Sequence, residues 1–259
     1  MNIKVNPNWW KTIFNEVYLI TDARSVCDED ITRREVDVIC ELLPIHQEDR
    51  ILDLCGGQGR HSFALFDRGF AKCTLLDYSQ YLIDTAKART TDNNYPIEFI
   101  CSDARNTGLQ SRIFDHVLIM GNSIGYIQEH DADGQIMAEA YRLLRPGGWF
   151  LVDVSNGAVL KNNFNSNAWH EIGDEIVVCR QRELHGDIIY AREMVLNKKK
   201  GMIQDETYAI RLYDSQTLVA LFKQTGFKKI TVHTNFSPYR SKGDYGFMNN
   251  RMIVVGQKI

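Results

Sequence analysis

The most constraining feature of this chain is a glycine-rich turn that directly follows a short apolar run. The segment reads Ile51-Leu-Asp-Leu-Cys-Gly-Gly-Gln-Gly-Arg-His61 and continues into Ser62-Phe-Ala-Leu-Phe66. This order predicts a buried strand, a tight turn and the start of a helix. Glycine allows a backbone to pass close to a ligand, and the free N–H groups at a helix start favour an anionic or strongly polar group. The turn therefore predicts a nucleotide-like ligand.

Strands and helices are predicted to alternate beyond this turn. Further strands are predicted at Lys72–Asp77, Pro96–Cys101, Phe114–Met120 and Trp149–Val154, and helices at Tyr81–Arg89 and Ala132–Leu144. Such alternation predicts a parallel sheet with helices on both faces, joined by right-handed crossovers.

The segment before the turn, residues 8–44, has a helical pattern. Trp10, Phe14 and Tyr18 recur every four residues, and a second amphipathic segment ends at Pro44. Two N-terminal helices are therefore predicted. The aromatic stripe favours core packing, with a lid role for Tyr18 as the alternative.

The pattern changes between residues 174 and 212. Three alternating segments, Glu175–Leu184, Ile188–Asn197 and Met202–Tyr213, are separated by short turns, which predicts an antiparallel meander. The α/β pattern then resumes, with Asp214 as the predicted cap of a helix over Ser215–Thr225 and a stop at Gly226.

The predicted fold is a doubly wound, mostly parallel seven-stranded sheet with an inserted antiparallel β cap. The last strands are expected at Lys228–Thr234 and Arg251–Gln257. The domain boundaries expected from these patterns are an N-terminal helical arm (1–45), an α/β core (46–160 and 214–259) and the cap (161–213).

Composition narrows the choice of partners and compartment. A formal net charge of -3 over 259 residues disfavours a nucleic-acid partner. The six cysteines include no Cys-x-x-Cys pair, the seven histidines are dispersed, and no run of eighteen apolar residues occurs. We expect a reduced cytoplasmic protein without a metal site or a membrane partner.

Acidic residues mark the first three predicted strands. Asp53 lies within the first strand, and Asp77 and Asp103 lie at the ends of the next two. An acid about twenty residues past the glycines is placed to accept hydrogen bonds from both ribose hydroxyls of a nucleotide. Asp77 is the strongest such candidate, with a loop-capping role as the alternative.

The glycine spacing separates two classes of cofactor. A dinucleotide fingerprint requires G-x-G-x-x-G, whereas the run from Gly57 reads Gly-Gln-Gly-Arg-His-Ser and lacks the third glycine. The chain instead resembles the class I S-adenosylmethionine-dependent methyltransferases, whose first motif is an acid followed by Gly-x-Gly-x-Gly. Asp53 matches the acid, and Cys55, Gly57 and Gly59 match the three turn positions. Cys55 departs from the usual glycine, which predicts a backbone that avoids positive φ there.

The resemblance extends over residues 50 to 155. Thr74–Ser79 is similar to the family's ribose-binding motif, Ser102–Ala104 to its adenine-binding motif, Asp115–Gly121 to its fourth strand and Leu143–Leu151 to the entry to its fifth. Five matches in order are a specific signal, whereas any one alone is weak.

The resemblance implies S-adenosylmethionine as cofactor, bound with its methionyl end over the glycine turn and its ribose on Asp77. Adenine is then expected between Tyr78 and the Asp103–Ala104 segment, with Gly121 and Asn122 facing the methyl group. The implied cofactor-binding residues are Asp53, Cys55, Gly56, Gly57, Gly59, Asp77, Tyr78, Asp103, Ala104, Gly121 and Asn122.

Two residues are candidates for a general base, Tyr126 and His170. Each has a packing or structural role as the alternative. A base is needed only if the acceptor must lose a proton. Arg211 and Tyr213 could reach an acceptor or simply pair with a surface carboxylate.

The basic pair Arg60 and His61, in the first turn of the helix after the glycines, has two alternatives as well. The pair could contact the donor's carboxylate or serve packing alone.

The predicted activity is methyl transfer from S-adenosylmethionine to a small-molecule acceptor, because a cap over the crevice would enclose a pocket. A nicotinamide-dependent oxidoreductase and a non-catalytic cofactor-binding domain are the alternatives. The oligomeric state is open, with a homodimer through the cap as one alternative.

Overall fold

A computed structural model describes residues 2–93, 95–129, 131–239 and 246–259. The strands in these ranges are β1 (Ile51–Leu54), β2 (Cys73–Asp77), β3 (Glu98–Cys101), β4 (Phe114–Ile119), β5 (Leu144–Ser155), β6 (Asn167–Ile172), β7 (Ile176–His185), β8 (Ile188–Asn197), β9 (Gly201–Arg211), β10 (Lys228–Phe236) and β11 (Arg251–Gln257). The helices are α1 (Glu16–Thr21), α2 (Ala23–Val26), α3 (Glu29–Leu42), α4 (Arg60–Phe66), α5 (Gln80–Asn93), α6 (Ala132–Leu143), α7 (Gly157–Asn162) and α8 (Ser215–Thr225), with 3₁₀ turns at Trp9–Lys11 and Gly246–Asn249.

The central sheet has seven strands in the order β10-β11-β5-β4-β1-β2-β3. β1 to β5 pair in parallel, whereas β11 is antiparallel to both β5 and β10. This arrangement confirms the predicted fold. The strand order reverses between β1 and β4, so the carboxyl ends of these two strands border a crevice where ligands bind in open α/β sheets.

Apolar side chains of the central strands alternate between two core layers. Leu52 and Val152 pack on the face covered by α6 and α8, whereas Ile51 and Leu151 pack on the face covered by α3, α4 and α5. Covering both faces of the sheet explains why the strands are apolar along their whole length. In the described part of the chain, no helix is both long and apolar enough to cross a membrane.

The N-terminal arm differs from the predicted two helices. It forms a 3₁₀ turn and three helices, and the 3₁₀ turn, α1 and α2 take the place of the first predicted helix. Asn15 accepts from the backbone N–H of Val17 at 2.9 Å and begins α1, and Asp28 accepts from Ile31 at 2.8 Å and begins α3. Phe14 and Tyr18 therefore lie in different local structures despite their helical spacing.

The antiparallel sheet contains four strands, in the order β6-β7-β8-β9, rather than the predicted three. The prediction missed β6, which is six residues long and pairs with β7 from Asn167 opposite Gln181 to Ile172 opposite Ile176. Its alternation is reversed at two adjacent positions, since Trp169 is exposed and His170 is half-buried. That reversal hides the strand from a hydrophobicity pattern.

Candidate active site

The glycine turn connects β1 to α4 through a left-handed backbone. The φ angles of Gly57 and Gly59 are +59° and +77°, and Gly59 is the residue that precedes α4. A Cβ on Gly56 would lie 2.3 Å from Cδ1 of Leu75, so a side chain has no room there. Glycine at these positions is therefore required by conformation or by space.

Cys55 also has a positive φ, +61°, so the prediction that its backbone avoids this region is wrong. The turn bends the chain directly after Leu54, and an unbranched side chain such as cysteine adopts this conformation at a cost of roughly 1–2 kcal/mol. Burial raises the pKa of the Cys55 thiol well above its ordinary value, so the thiol is neutral. The turn thus presents an uncharged sulfur to the neighbouring crevice.

Asp77 ties the turn to the end of β2. Its Oδ2 accepts from the N–H of Gly57 and its Oδ1 from the N–H of Ser79, both at 2.8 Å. Only 9% of the residue is exposed, and burial raises the pKa of its carboxyl to about 6 against the opposing effect of these two hydrogen bonds. Both oxygens keep further lone pairs for hydroxyl donors.

A crevice of about 750 Å³ opens at the carboxyl ends of β1, β2 and β4. Seven of the predicted ligand-binding residues line it: Cys55, Gly57, Asp77, Tyr78, Asp103, Ala104 and Gly121. The arm closes one side, and Trp10 contacts Tyr78 edge to face with ring centroids 4.6 Å apart. We call this space the cofactor cleft.

Asp103 lines the cleft with its carboxylate already engaged. Its Oδ2 accepts from Nη2 of Arg105 at 2.7 Å, and Arg105 also lies 5.5 Å from the centroid of Trp10. The sequence analysis did not predict that Arg105 or Trp10 lies beside the ligand. Trp10 was assigned to packing with the aromatic stripe, and a spacing pattern alone cannot tell which face of a stripe borders a ligand.

Three residues predicted to bind the cofactor, Asp53, Gly56 and Gly59, are not among the described residues that line the cleft. Asp53 is 1% exposed, and its Oδ2 accepts from Oγ of Ser62 at 2.9 Å. A Cβ on Gly56 would come within 2.5 Å of the Asp53 carboxyl carbon, and one on Gly59 within 2.9 Å of Leu75. These residues hold the shape of the turn.

The loop after β4 is fixed by β5. The N–H of Gly121 donates to Oδ2 of Asp153 at 2.8 Å, and the N–H of Asn122 donates to its backbone oxygen at 3.0 Å. Oδ1 of Asn122 accepts from the N–H of Ser155 at 2.8 Å, and its side chain also hydrogen-bonds to Tyr126. Tyr126 is therefore oriented by the end of the central sheet.

A buried charge cluster supports this loop, and the sequence did not predict it. Arg251 is fully buried, donates from Nε to Oδ1 of Asp153 at 2.7 Å and pairs with Glu35, which also pairs with Arg60 and His61. Burial alone would raise the pKa of Glu35, but Arg251 and Arg60 hold that pKa well below its ordinary value. The sequence feature that could have indicated this cluster is Arg251, a charged residue at the start of the mostly apolar strand β11.

The same cluster bears on the predicted basic pair. Burial and the charge of Arg60 lower the pKa of His61, whose Nε2 lies 2.9 Å from Oε2 of Glu35. His61 thus has a structural role, which is the packing alternative. Arg60 also approaches Gly121, since a Cβ there would lie 3.6 Å from the arginine Nη2.

A second cavity, of about 920 Å³, lies beneath the inner face of the four-stranded sheet. We call it the cap cavity. The sheet contributes Arg180, Arg182, Glu193, Gln204, Tyr208 and Ile210 to its lining. Phe14, Tyr18, Gly121 and Tyr126 line both this cavity and the cofactor cleft. The two spaces therefore adjoin at these four residues, and Asn122 lies on the cap side.

The two candidates for a general base have different positions. Tyr126 lies where the cleft and the cavity adjoin, and burial, with the charge of Asp22, raises the pKa of its hydroxyl, so it is a neutral phenol. His170 lies in β6 and is not among the described residues that line either space. The geometry therefore favours Tyr126 as a hydrogen-bonding group rather than a base.

Arg211 and Tyr213 follow the alternative in which they pair with a carboxylate. Oη of Tyr213 donates to Oδ2 of Asp133 at 2.5 Å, and Arg211 pairs with the same carboxylate. The other alternative, reach to an acceptor, does not apply, because a single acid at the start of α6 binds both side chains.

Comparison with known proteins agrees with this architecture. A family model described as a methyltransferase domain matches residues 51–148. A putative methyltransferase, YqeM, of Bacillus subtilis (strain 168) is 26% identical over 74% of this chain and 78% of the relative. A glycine/sarcosine N-methyltransferase of Aphanothece halophytica is 27% identical over 82% of this chain and 79% of the relative.

Among solved structures, an S-adenosylmethionine-dependent methyltransferase from Clostridium acetobutylicum ATCC 824 has a TM-score of 0.73 at 17% identity. It covers 93% of this chain and 96% of its own. That similarity extends beyond the matched domain to the arm and the antiparallel sheet. That structure shows the shared fold, and the domain match and the named relatives support an S-adenosylmethionine-dependent methyltransferase enzyme with S-adenosylmethionine as its cofactor.

Proposed function

We propose that this enzyme methylates a small polar molecule held in the cap cavity while S-adenosylmethionine occupies the cofactor cleft. The observation that carries the proposal is the junction of the two spaces at Phe14, Tyr18, Gly121 and Tyr126. A donor in one space and an acceptor in the other would meet there. A space roofed by a sheet and closed by the arm suits a small acceptor better than a macromolecule.

The cofactor-binding roles follow from what each residue offers. Asp77 accepts from ribose hydroxyls, Tyr78 and the Asp103–Ala104 segment bracket adenine, and Cys55 and Gly57 border the methionyl end. Gly121 closes the cleft near the methyl group. Asp53, Gly56 and Gly59 act indirectly, through the shape of the turn. The unengaged lone pairs of Asp77 and the crevice beside it fit a nucleoside.

S-adenosylmethionine, when bound, supplies an activated methyl group. The chain supplies alignment, which is worth roughly 7–11 kcal/mol of barrier when reacting groups are held in position. Asn122 holds Tyr126 by a hydrogen bond, and the neutral phenol of Tyr126 hydrogen-bonds to the acceptor at the junction. The rings of Trp9 and Phe14 pack against Tyr126, and Tyr208 packs against Trp9, which excludes water there.

The functional division proposed for the chain follows the same geometry. The arm (1–45) covers both spaces, the α/β core (46–160 and 214–259) binds the cofactor, and the cap (161–213) provides the acceptor side. A relative whose name specifies glycine and sarcosine as substrates supports a small acceptor, since the match covers most of both chains.

The experiment uses S-adenosylmethionine with a labelled methyl group and purified enzyme. Label is followed into small-metabolite, protein and RNA fractions of a cell extract. We expect label in the metabolite fraction, lost in Asp77→Ala and retained in Asp84→Ala, a surface change on α5. Label confined to protein or RNA would contradict the proposal. Tight binding of S-adenosylhomocysteine with no labelled product in any fraction would indicate a non-catalytic domain.

A further inference from the structure

Tyr126 lies on a loop between β4 and α6 that is outside the described helices and strands. We call residues 121–126 the junction loop. Three of them, Gly121, Asn122 and Gly125, have positive φ angles of +67°, +64° and +93°. Backbone in this region is costly for a non-glycine residue and persists only where the surrounding structure holds it. The position of Tyr126 therefore depends on what holds the junction loop.

A buried aspartate holds each end of the junction loop. Asp153 accepts from the N–H of Gly121 at one end, and Oδ1 of Asp133 accepts from the N–H of Gly125 at the other, at 3.0 Å. Asp133 is 4% exposed and lies in the first turn of α6, where the helix dipole favours an acid. Asp133 thus fixes the residue that directly precedes Tyr126.

The other oxygen of Asp133 binds the segment by which the chain leaves the cap. Oδ2 accepts from Oη of Tyr213 at 2.5 Å and pairs with Arg211, the last residue of β9. The backbone of Arg211 also contacts the loop, since its N–H donates to the carbonyl oxygen of Gly125 at 2.8 Å. A Cβ on Gly125 would lie 2.6 Å from the carbonyl oxygen of Arg211. One carboxylate therefore ties the junction loop to the cap.

The surroundings of Asp133 suit a holding role rather than contact with a substrate. It is not among the described residues that line the cofactor cleft or the cap cavity. Burial and the charge of Asp133 raise the pKa of Tyr213, so its phenol keeps the proton that it donates. Hydrogen bonds to an ionised acceptor are stronger than those between neutral groups. Asp133 can therefore hold a strained loop in one position.

We propose that Asp133 is a positioning residue for methyl transfer, which sets the place of Tyr126 between donor and acceptor by holding Gly125 and the end of β9 together. The inference rests on the proposed function, because it requires Tyr126 to face an acceptor in the cap cavity. A misplacement of about 1 Å in a group that aligns reactants can lower a rate about 100-fold. Loss of Asp133 should therefore affect transfer more than cofactor binding.

Glu139 provides a matched control on the same helix. It is 7% exposed, and its carboxylate accepts from the N–H of Thr107 at 2.9 Å, from the Thr107 hydroxyl at 2.5 Å and from Nε of Arg142 at 2.7 Å. These are the same kinds of donor that Asp133 binds. Thr107 is not among the described residues that line the cleft or the cavity. Asp133→Asn and Glu139→Gln thus remove similar bonds, but only Asp133→Asn releases the junction loop.

The first test measures transfer. Saturating S-adenosylmethionine with a labelled methyl group and a dilution series of one metabolite extract give a relative kcat and a relative KM. We expect kcat of Asp133→Asn to be at least about 10-fold below that of Glu139→Gln, with the Kd for S-adenosylhomocysteine within about threefold of the wild-type value. Equal kcat in the two variants would overturn the inference.

The second test observes Tyr126 without turnover. The tyrosine at position 126 is replaced by 3-fluorotyrosine in the wild type and in both variants, and fluorine NMR spectra are recorded with S-adenosylhomocysteine bound. We expect Glu139→Gln to keep the wild-type resonance and Asp133→Asn to shift or split it. An unchanged resonance in Asp133→Asn would overturn the inference. If Asp133→Asn does not fold, Asp133→Glu keeps the charge, moves the carboxylate by one methylene and should change the resonance and kcat in the same direction.

Failure of this inference can be distinguished from failure of the proposed function. Label in the metabolite fraction at equal rates from both variants refutes the positioning role and leaves the small-molecule function standing. Label found solely in protein or RNA refutes the small-molecule function, and the fluorine spectra then decide the positioning role alone.

Discussion

Replacing Asp77 with asparagine should separate cofactor binding from folding. The side chain keeps its shape but loses its charge and one acceptor oxygen. In the folded protein each carboxyl oxygen accepts from a backbone N–H, of Gly57 or Ser79, at 2.8 Å. In the variant, one of these N–H groups faces the NH₂ of asparagine and loses its hydrogen bond. The lost hydrogen bond costs about 1–3 kcal/mol of stability.

The lost charge acts in the opposite direction on stability. The pKa of the Asp77 carboxyl rises from 3.8 to about 6 on folding, so holding it ionised at pH 8 costs about 3 kcal/mol. The two effects nearly cancel, and the unliganded variant should have a Tm close to that of the wild type or higher. Cofactor binding, unlike stability, gains nothing from the loss of the charge. Losing a charge-assisted hydrogen bond to ribose should weaken S-adenosylhomocysteine by about 1.5–3 kcal/mol, or roughly 10- to 150-fold.

The pH dependence gives a second signature of the same group. Because the folded pKa exceeds the ordinary one, protonation of Asp77 stabilises the fold; this contribution is complete below pH 3.8 and is lost as the pH rises through about 6. Cofactor binding has the opposite sign, since ribose hydroxyls donate to the ionised form. Wild-type affinity should fall about tenfold per pH unit below 6, and Asp77→Asn should lack this dependence.

Isothermal titration calorimetry with S-adenosylhomocysteine between pH 5 and 8, with thermal unfolding of the unliganded proteins, checks all three expectations. Asp84→Asn on the surface of α5 is the control. Unchanged affinity of Asp77→Asn for S-adenosylhomocysteine would refute the role given to Asp77. The role would also be refuted if the variant lost stability and affinity to the same extent, because misfolding alone would then explain the weaker binding.

Three further changes test other parts of the site. Gly57→Val should weaken S-adenosylhomocysteine more than Asp77→Ala, because a branched side chain enters the cleft and φ is +59°; calorimetry decides, and normal binding would place the ligand elsewhere. Glu35→Gln should lower the free energy of unfolding by about 3–5 kcal/mol in urea titrations, since it leaves buried Arg251 with one fewer carboxylate; a loss below 1 kcal/mol would contradict this. Tyr126→Phe should reduce kcat about 10- to 100-fold in single-turnover assays with little change in cofactor affinity, and an unchanged kcat would remove its hydroxyl from the reaction.

The sequence predicted the central sheet well because its signals are local. The β1 strand, the glycine turn and the Asp214 cap with its Gly226 stop each depend on residues close together in the chain. Cys55 shows the limit of that approach. Its positive φ is set by the path of the backbone into the turn, which the side chain type does not reveal.

Features assembled from distant segments escaped prediction. The cluster of Glu35, Arg251 and Asp153 joins an N-terminal helix to the last strand and β5. Asp133, which binds Arg211 and Tyr213, is 78 residues from the nearer of them. Such contacts depend on tertiary packing rather than on spacing, and only a structure brings them together.

The central claim is that the methyl donor and its acceptor meet at the junction of the cofactor cleft and the cap cavity. A crystal structure with S-adenosylhomocysteine bound tests it most directly. We predict both ribose hydroxyls within hydrogen-bonding distance of the Asp77 carboxylate and the sulfur beside Gly121 and Tyr126, facing the cap cavity. A ligand bound elsewhere, or a sulfur directed away from that cavity, would contradict the account.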